Sequence, residues 1–336
     1  MPTIQLSKSN FFFNLDQIVK KTKAIEKVAL VLKDNAYGHG LCEIAQMAQE
    51  YGITKAVVQN YSEAKTVEDF FEYILVLADL PQTPSAKIRY TINDANVVTK
   101  LPRGTLVELK VDTGMHRNGI AISELATTLR AIKEQGLLLE AVFTHHRNAD
   151  ELTSEWFWQN EKFVEVKEEA RLVAKELGFP TLRFHSSNSA SLFRFENFNE
   201  DMVRVGIAAY GCMQLSKALN VEGFKPVLSL YGEKISSRKL HQGARVGYGA
   251  TFKAENECSV SSYDIGYGDG FLRTCSNSYM TPTGVKIAGR ISMDNSSFIT
   301  DVQELLIFSD ASTVTDSTIA YEVLTSLKAE IKRKIV

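Results

Sequence analysis

The chain has 336 residues and a formal net charge of −2 at neutral pH, a balance that argues against nucleic acid or an anionic membrane surface as a partner. With 44% hydrophobic and 23% charged residues the composition is that of a folded globular protein and excludes a disordered one. The length suffices for two domains, and no apolar run approaches the length of a bilayer span.

The segment Met1–Lys8 has neither a basic region nor a long apolar core, so no secretory signal is expected there. Cys42, Cys212, Cys258 and Cys275 form no CxxC pair and read as reduced thiols of a cytoplasmic protein.

Thr3–Leu6 reads as a short strand, and Asn10–Lys23 has apolar and basic residues at helical spacing. Lys27–Lys33 follows. Its run Val28-Ala29-Leu30-Val31-Leu32 is continuously apolar, the mark of a strand buried on both faces, and it stops on a lysine. Further strand-like runs are Thr54–Gln59, Tyr73–Ala78, Ile88–Ile92, Leu106–Asp112, Leu139–His145, Thr181–His185 and Met202–Gly206. Helical patterns lie between most of them, including Glu124–Gln135 and Ser154–Leu177. About eight strand–helix units in roughly 200 residues is the count of a (β/α)8 TIM barrel.

After Gly211 the texture changes to short, Thr/Ser/Val-rich runs broken by glycine: Lys225–Lys234, Ser236–Leu240, Ala244–Thr251, Ser259–Ile265, Val285–Ile291 and Ser297–Val302. These read as an antiparallel β domain, with an amphipathic helix, Tyr321–Leu327, closing the chain. The expected fold is therefore α/β: a TIM barrel over residues 1–218 and a predominantly β domain over 219–336, with a linker near Lys217–Lys225. A barrel that opens on a helix leaves Thr3–Leu6 unused, so this strand is expected to pair with the second domain.

Unusual polar residues fall at the C-terminal ends of the barrel strands: Lys33, Asp112, His145, His185 and Arg204. On a TIM barrel these ends share one face and converge on one site. A lone lysine or histidine there is ordinarily structural; five at the same end of successive strands are hard to explain as packing.

Lys33 sits in KDNAYGHG, which resembles the KANAYGHG signature of alanine racemases and departs from it only at Asp34. The resemblance runs along the chain in order. VDTGMHRNGI resembles the family's VDTGMxRLG, FTHHRNADE its THFATADE, HSSNSAS its HxxNSAA and MVRVGIAAYG its MVRxGIxLYG. In the second half VGYGATF, IGYGDGF and GRISMDN resemble VSYGxTY, IGYADGx and GRICMDQ.

The resemblance implies pyridoxal 5'-phosphate as cofactor, joined to Lys33 as a Schiff base. Tyr37, Ser189, Gly206 and Ile207 would grip its phosphate, with Asn188 beside them, and Ser189 would sit where a plain helix N-cap also could. Arg204 would face the pyridine nitrogen, and a positive neighbour disfavours protonation there. His145 would link Arg204 to Tyr248. Racemisation needs a base on each face of a planar intermediate, and Lys33 and Tyr248 match the pair. Arg117, Met293 and Tyr267 match substrate-side residues, and Lys110 matches a lysine carbamylated in many members. The resemblance also implies alanine as substrate, D-alanine for peptidoglycan as the product's use, no resident metal, and a homodimer with shared active sites.

Three departures stand out. Ser292 replaces a cysteine, His146 and Arg147 replace Phe-Ala and add charge beside His145, and the terminal Lys334-Ile335-Val336 offers no tyrosine for the substrate gate. The alternatives weighed are a broader amino-acid racemase acting for instance on serine, a fold-related amino-acid decarboxylase, which the two-base pair argues against, and a non-catalytic cofactor-binding barrel, a kind of protein that lacks the β domain.

Overall fold

The structure is a computed structural model; it describes residues 1–81, 83–213, 223–310 and 319–336. The first strand, β1 (Thr3–Leu6), leads into a helix, Lys8–Thr22, whose N-cap Ser7 accepts from the Asn10 amide at 3.3 Å. Eight strands then build a parallel sheet: β2 (Val28–Val31), β3 (Lys55–Val58), β4 (Tyr73–Val76), β5 (Ile88–Ile92), β6 (Leu106–Lys110), β7 (Leu138–Phe143), β8 (Arg183–His185) and β9 (Val203–Val205). Their order is β8-β7-β6-β5-β4-β3-β2-β9. Between β8 and β9 the sheet closes through a single bridge, Asn188 to Arg204, with the Arg204 amide on Ser187 O at 3.0 Å.

The continuous apolar runs have a physical reason here. All four β2 residues are buried, because alternate side chains face opposite cores. Ala29 and Val31 pack inside the barrel with Val57, Tyr73, Leu75 and Met202, while Val28 and Leu30 pack outward with the surrounding helices. Those helices include Lys8–Thr22, Leu41–Tyr51 and Tyr61–Val67, while Leu125–Gln135 and Glu155–Glu176 cover β6 and β7 in a second cluster.

The second domain is built on β10 (Leu228–Leu240), a single 13-residue strand where two separate ones were expected. It continues with β11 (Arg245–Val246), β12 (Phe252–Lys253), β13 (Cys258–Tyr263), β14 (Ser296–Phe298), β15 (Glu304–Ser309) and β16 (Lys332–Ile335). The sheet order is β14-β13-β10-β1-β16, with β15 also on β10. β1 thus belongs to this sheet, antiparallel to β10 (Ile4 opposite Leu230) and parallel to β16.

Three details differ from the sequence reading. Ala244–Thr251 is not a strand: β11 and β12 form a two-rung hairpin joined by a turn at Tyr248–Ala250, because Gly247 and Gly249 both take φ 71°, which no ladder accommodates. Val285–Ile291 makes only isolated bridges. The chain closes on a strand, β16, and not on its last helix, Ala320–Ser326. The expected boundary between residues 218 and 219 lies outside the described residues.

Candidate active site

At the C-terminal mouth of the barrel lies a cavity of about 650 Å³. Lys33 reaches it from β2, Lys110 from β6, His145 from β7, Asn188 and Ser189 from β8, and Arg204, Gly206 and Ile207 from β9; Tyr37 and Arg117 complete the set.

The Lys33 turn is the most unusual backbone in the chain. Asp34, Asn35, Ala36 and Tyr37 take φ between 52° and 55°, a left-handed helical turn. For L-residues this costs about 1–2 kcal/mol each. Asp and Asn tolerate the region; Ala36 and Tyr37 do so only because surrounding contacts hold them. The Ala36 amide donates to Leu32 O at 2.8 Å, and the Asn35 side chain accepts from the Leu41 amide at 2.8 Å. Gly38 ends the turn at φ 79°, where a Cβ would lie 1.9 Å from Leu324 O, so only glycine fits. The reversal leaves the Lys33 ammonium 6.0 Å from the Tyr37 ring centre, with its side chain one-third exposed to the cavity.

Arg204 is only 5% exposed and is held by acceptors on several sides. It donates to Thr144 O at 2.8 Å and Ser186 O at 3.2 Å, to His145 Nδ1 at 3.4 Å, and to His185 Nδ1. Burial pulls its guanidinium down to about 10, so it stays charged at neutral pH. Burial, and then Arg204, hold His145 well below the usual histidine range. A neutral His145 accepting on Nδ1 keeps a hydrogen on Nε2 for the cavity.

Behind Arg204 lies a charge the sequence reading did not single out. Glu108, completely buried, accepts from His185 Nε2 at 2.9 Å, Arg183 at 3.0 Å and the Tyr73 hydroxyl at 2.5 Å. Burial opposes its ionisation, but His185, Arg183 and Tyr73 outweigh it and bring the carboxyl down to about 2. Period-two alternation in Leu106-Val107-Glu108-Leu109-Lys110 puts Glu108 and Lys110 on the barrel interior, and that spacing was the available signal.

Lys110 is 8% exposed and has no ion pair among the described residues. Burial first, then repulsion by Arg204 and Arg117, bring its amine down to about 8. In the same cavity the Ser189 hydroxyl accepts from the Gly206 amide at 3.1 Å and the Ala208 amide at 3.3 Å, which leaves its own hydrogen free to donate. Gly206 has no Cβ, and the Tyr37 hydroxyl occupies that space, 3.2 Å from where one would be.

Two expectations are corrected. His146 adds no positive charge: burial above all takes it down to about 4, and its Nδ1 meets Ser191 Oγ at 2.9 Å. Arg147 is paired with Glu155. The cavity does receive a C-terminal tyrosine. Tyr321 lines it, with its ring edge-on to Tyr37 at 6.4 Å, although the last three residues have none.

Tyr248, Tyr267 and Met293 are not brought to this cavity within the single chain. They are 67%, 41% and 55% exposed on the second domain. The Tyr267 and Met293 loops are bonded together, Gly268 N to Met293 O at 2.8 Å, and Gly249, next to Tyr248, packs against Arg290 three residues before Met293.

The matching family models are the alanine racemase N-terminal domain, over residues 6–214, and the alanine racemase C-terminal domain, over residues 227–335. The alanine racemase of a Nitratiruptor species is 42% identical over 335 residues, covering 99% of each chain. That of Campylobacter curvus is also 42% identical, over 340 residues and 100% of each chain. Among solved structures, the alanine racemase of Clostridium difficile 630 superposes with a TM-score of 0.88 at 24% identity, covering 100% of this chain and 95% of that one, a likeness of fold. Both domains, in order and over their full length, together with the lysine turn and the buried arginine at the barrel mouth, place the chain in the alanine racemase family.

Proposed function

We propose that the chain interconverts L-alanine and D-alanine with pyridoxal 5'-phosphate bound at the barrel mouth, using Lys33 and the Tyr248 of a second copy as its two bases, and so supplies D-alanine for peptidoglycan. The observation that carries the reading is the convergence of Lys33, Arg204, His145 and Ser189 on one cavity in a chain 42% identical to alanine racemases.

The donor set fits the cofactor. A free Ser189 hydroxyl hydrogen, the Ile207 amide and the Tyr37 hydroxyl seated against Gly206 suit a phosphate, with Asn188 beside them. Lys33 lines the same cavity and would take the aldehyde. When bound, the cofactor withdraws electrons from the substrate's Cα and so acidifies its hydrogen. The remaining work falls to the chain. Arg204 keeps its own protons and, as a fixed cation, gives none to a ring nitrogen and disfavours a proton there. Arg117 offers the substrate carboxylate a bidentate fork. Lys33 Nζ takes or returns the Cα proton on one face.

The other face needs a second base. Tyr248, Tyr267 and Met293 stand exposed on the second domain, away from their own chain's cavity. A two-fold dimer laying each β domain over the other copy's barrel would bring them in, and such an isologous contact uses one surface twice.

The test incubates the protein with pyridoxal 5'-phosphate and L-alanine and resolves the product enantiomers. Equal amounts of L- and D-alanine are expected at completion, and borohydride reduction should leave the pyridoxyl group on the Lys33 peptide. A keto acid in place of D-alanine, or labelling of another lysine, would overturn the assignment. L-Serine is run in parallel; turnover as fast as that of alanine would move the assignment to a broader racemase.

Lys110 carries a second expectation. Only a neutral amine adds carbon dioxide, and an amine at about 8 is neutral in about one molecule in ten at pH 7, against about one in a few thousand for an ordinary lysine. A carbamate on Lys110 would give Arg117 an anionic partner. With 13C-bicarbonate a carbamate signal should appear by NMR and vanish in Lys110→Met; its persistence in that variant would assign it elsewhere.

A further inference from the structure

The left-handed turn that carries Lys33 is not held by the barrel alone. The glycine that ends it and the histidine that follows are gripped by the second domain of the same chain. Gly38 packs directly against the backbone of Leu324, and its carbonyl accepts from Arg333 Nη2 at 2.8 Å and Nε at 3.3 Å. His39, completely buried, closes the turn from within. Its Nδ1 lies 3.0 Å from both Ala36 O and Tyr37 O, a pairing it can make only as a donor. Its Nε2 reaches 3.2 Å across to Asp310 Oδ2, just past the C-terminal end of the second domain's β15.

Asp310 is itself fixed. The same oxygen accepts from the Val227 amide at 2.7 Å and the Leu228 amide at 2.6 Å, where the second domain begins. The His39 ring also stacks on Tyr210 at 4.4 Å, and the Tyr210 hydroxyl donates to Val31 O at 2.7 Å, on the strand that delivers Lys33. Both ends of the lysine segment are therefore tied to one cluster. A run of four non-glycine residues in the left-handed region unwinds unless its surroundings over-determine it. The contacts that do so come from Leu32, Leu41 and Glu63 in the barrel and from Asp310, Leu324 and Arg333 in the second domain.

We propose that Asp310 and Arg333 are positioning residues for Lys33. Through the His39 imidazole and the Gly38 carbonyl, the second domain holds the turn in its left-handed form and so aims the lysine amine into the cavity of its own chain. The two domains then have separate duties toward a site: a chain's β domain sets the lysine of its own barrel, whatever it presents to a second copy. This rests on the reading that Lys33 carries the cofactor.

The experiment uses the full-length protein as Asp310→Asn, Arg333→Met, Arg333→Lys and a control, Asn14→Ala. Asn14 also ties the domains, donating to Ala209 O at 3.0 Å and Lys225 O at 2.8 Å, but does not touch the turn. Two quantities are read besides turnover: the dissociation constant of pyridoxal 5'-phosphate from titration of the cofactor-free protein, and the rate at which an acylating reagent labels Lys33 in that protein, by peptide mass. Asp310→Asn and Arg333→Met should weaken cofactor binding by about tenfold, the size of one lost charge-assisted hydrogen bond, and change Lys33 labelling. Arg333→Lys should recover part of the loss, and Asn14→Ala should lower the melting temperature without either change.

Cofactor affinity and Lys33 labelling equal to the unsubstituted protein in Arg333→Met would overturn the inference, and so would equal losses in Asn14→Ala. If Asp310→Asn does not fold, the Arg333 pair decides alone. Borohydride mapping on the unsubstituted protein separates the two claims: a label away from Lys33 removes the functional reading, whereas a label on Lys33 with unmoved variants removes only this one.

Discussion

Lys33→Ala and Tyr248→Phe chains, each inactive alone, should regain about a quarter of the unsubstituted activity when they are unfolded together and refolded, or co-expressed. The arithmetic follows from geometry. Lys33 lies in the barrel cavity, while Tyr248 stands on the second domain and lines no part of that cavity within its own chain. In a two-fold dimer each site then takes its lysine from one copy and its tyrosine from the other. A mixed dimer has one site with both lesions and one with neither, and random pairing makes about half the dimers mixed. Each variant alone should lose about a hundredfold to ten-thousandfold, the usual contribution of a proton-transfer group, and Lys33→Ala should also lose the proposed covalent hold on the cofactor. Activity that stays at background in the mixture would show that both bases come from one chain.

Glu108→Ala should be the most destabilising single substitution in the barrel, at about 3–5 kcal/mol in denaturant unfolding. Removing the carboxylate strands the buried Tyr73 hydroxyl and the buried His185 Nε2 hydrogen, while Arg183, one-third exposed, keeps Glu140 at 2.9 Å. Glu108→Gln keeps the shape and isolates the charge. The folded carboxyl, at about 2, lies below its ordinary value of 4.5, so its contribution is fully present above about pH 4.5 and is lost as pH falls toward 2. That difference corresponds to roughly 3 kcal/mol. His185, pushed down chiefly by burial, adds to the acid loss in the same direction. The acid limb of the stability curve should therefore be shallower in Glu108→Gln. An identical limb in both proteins would mean that the carboxylate is not what the acid removes.

The barrel was readable because its signal is local. A run such as Val28–Leu32 must be apolar on both faces to be sandwiched between the barrel interior and the helices, so every strand announced itself. Lys33, His145 and Arg204 were readable because they stand at the ends of such strands, whereas Tyr37, Arg117 and Ser189 were legible only through the motifs they sit in. The second domain was read less well. Edge strand β16 is Lys-Arg-Lys-Ile, with the charges that guard a sheet edge in place of an apolar period. Gly247 and Gly249 make a β-like sequence into a turn that exposes Tyr248. Glu108 was hidden by its type, since carboxylates are almost never fully buried unless paired, and the partners, Tyr73, Arg183 and His185, come from other strands. The left-handed turn was hidden too. Its sequence, Asp-Asn-Ala-Tyr, contains no glycine until Gly38, and part of what enforces it lies some 270 to 300 residues downstream.

β1 lies inside the second domain's sheet, between the central strand β10 and the edge strand β16. In the cell the ribosome makes this strand long before either of its neighbours, which begin at Leu228 and Lys332. At about 5–20 residues per second, the earliest segment waits on the order of tens of seconds for its partners. The barrel can assemble meanwhile, but Thr3–Leu6 remains unpaired on one side until β10 and on the other until β16 has been made. Cutting the gene between the two domains therefore yields no clean halves: a barrel fragment carries an orphan strand, and the other fragment lacks the strand that joins β16 to β10. A workable split must move β1 to the far side of the cut, joined ahead of β10.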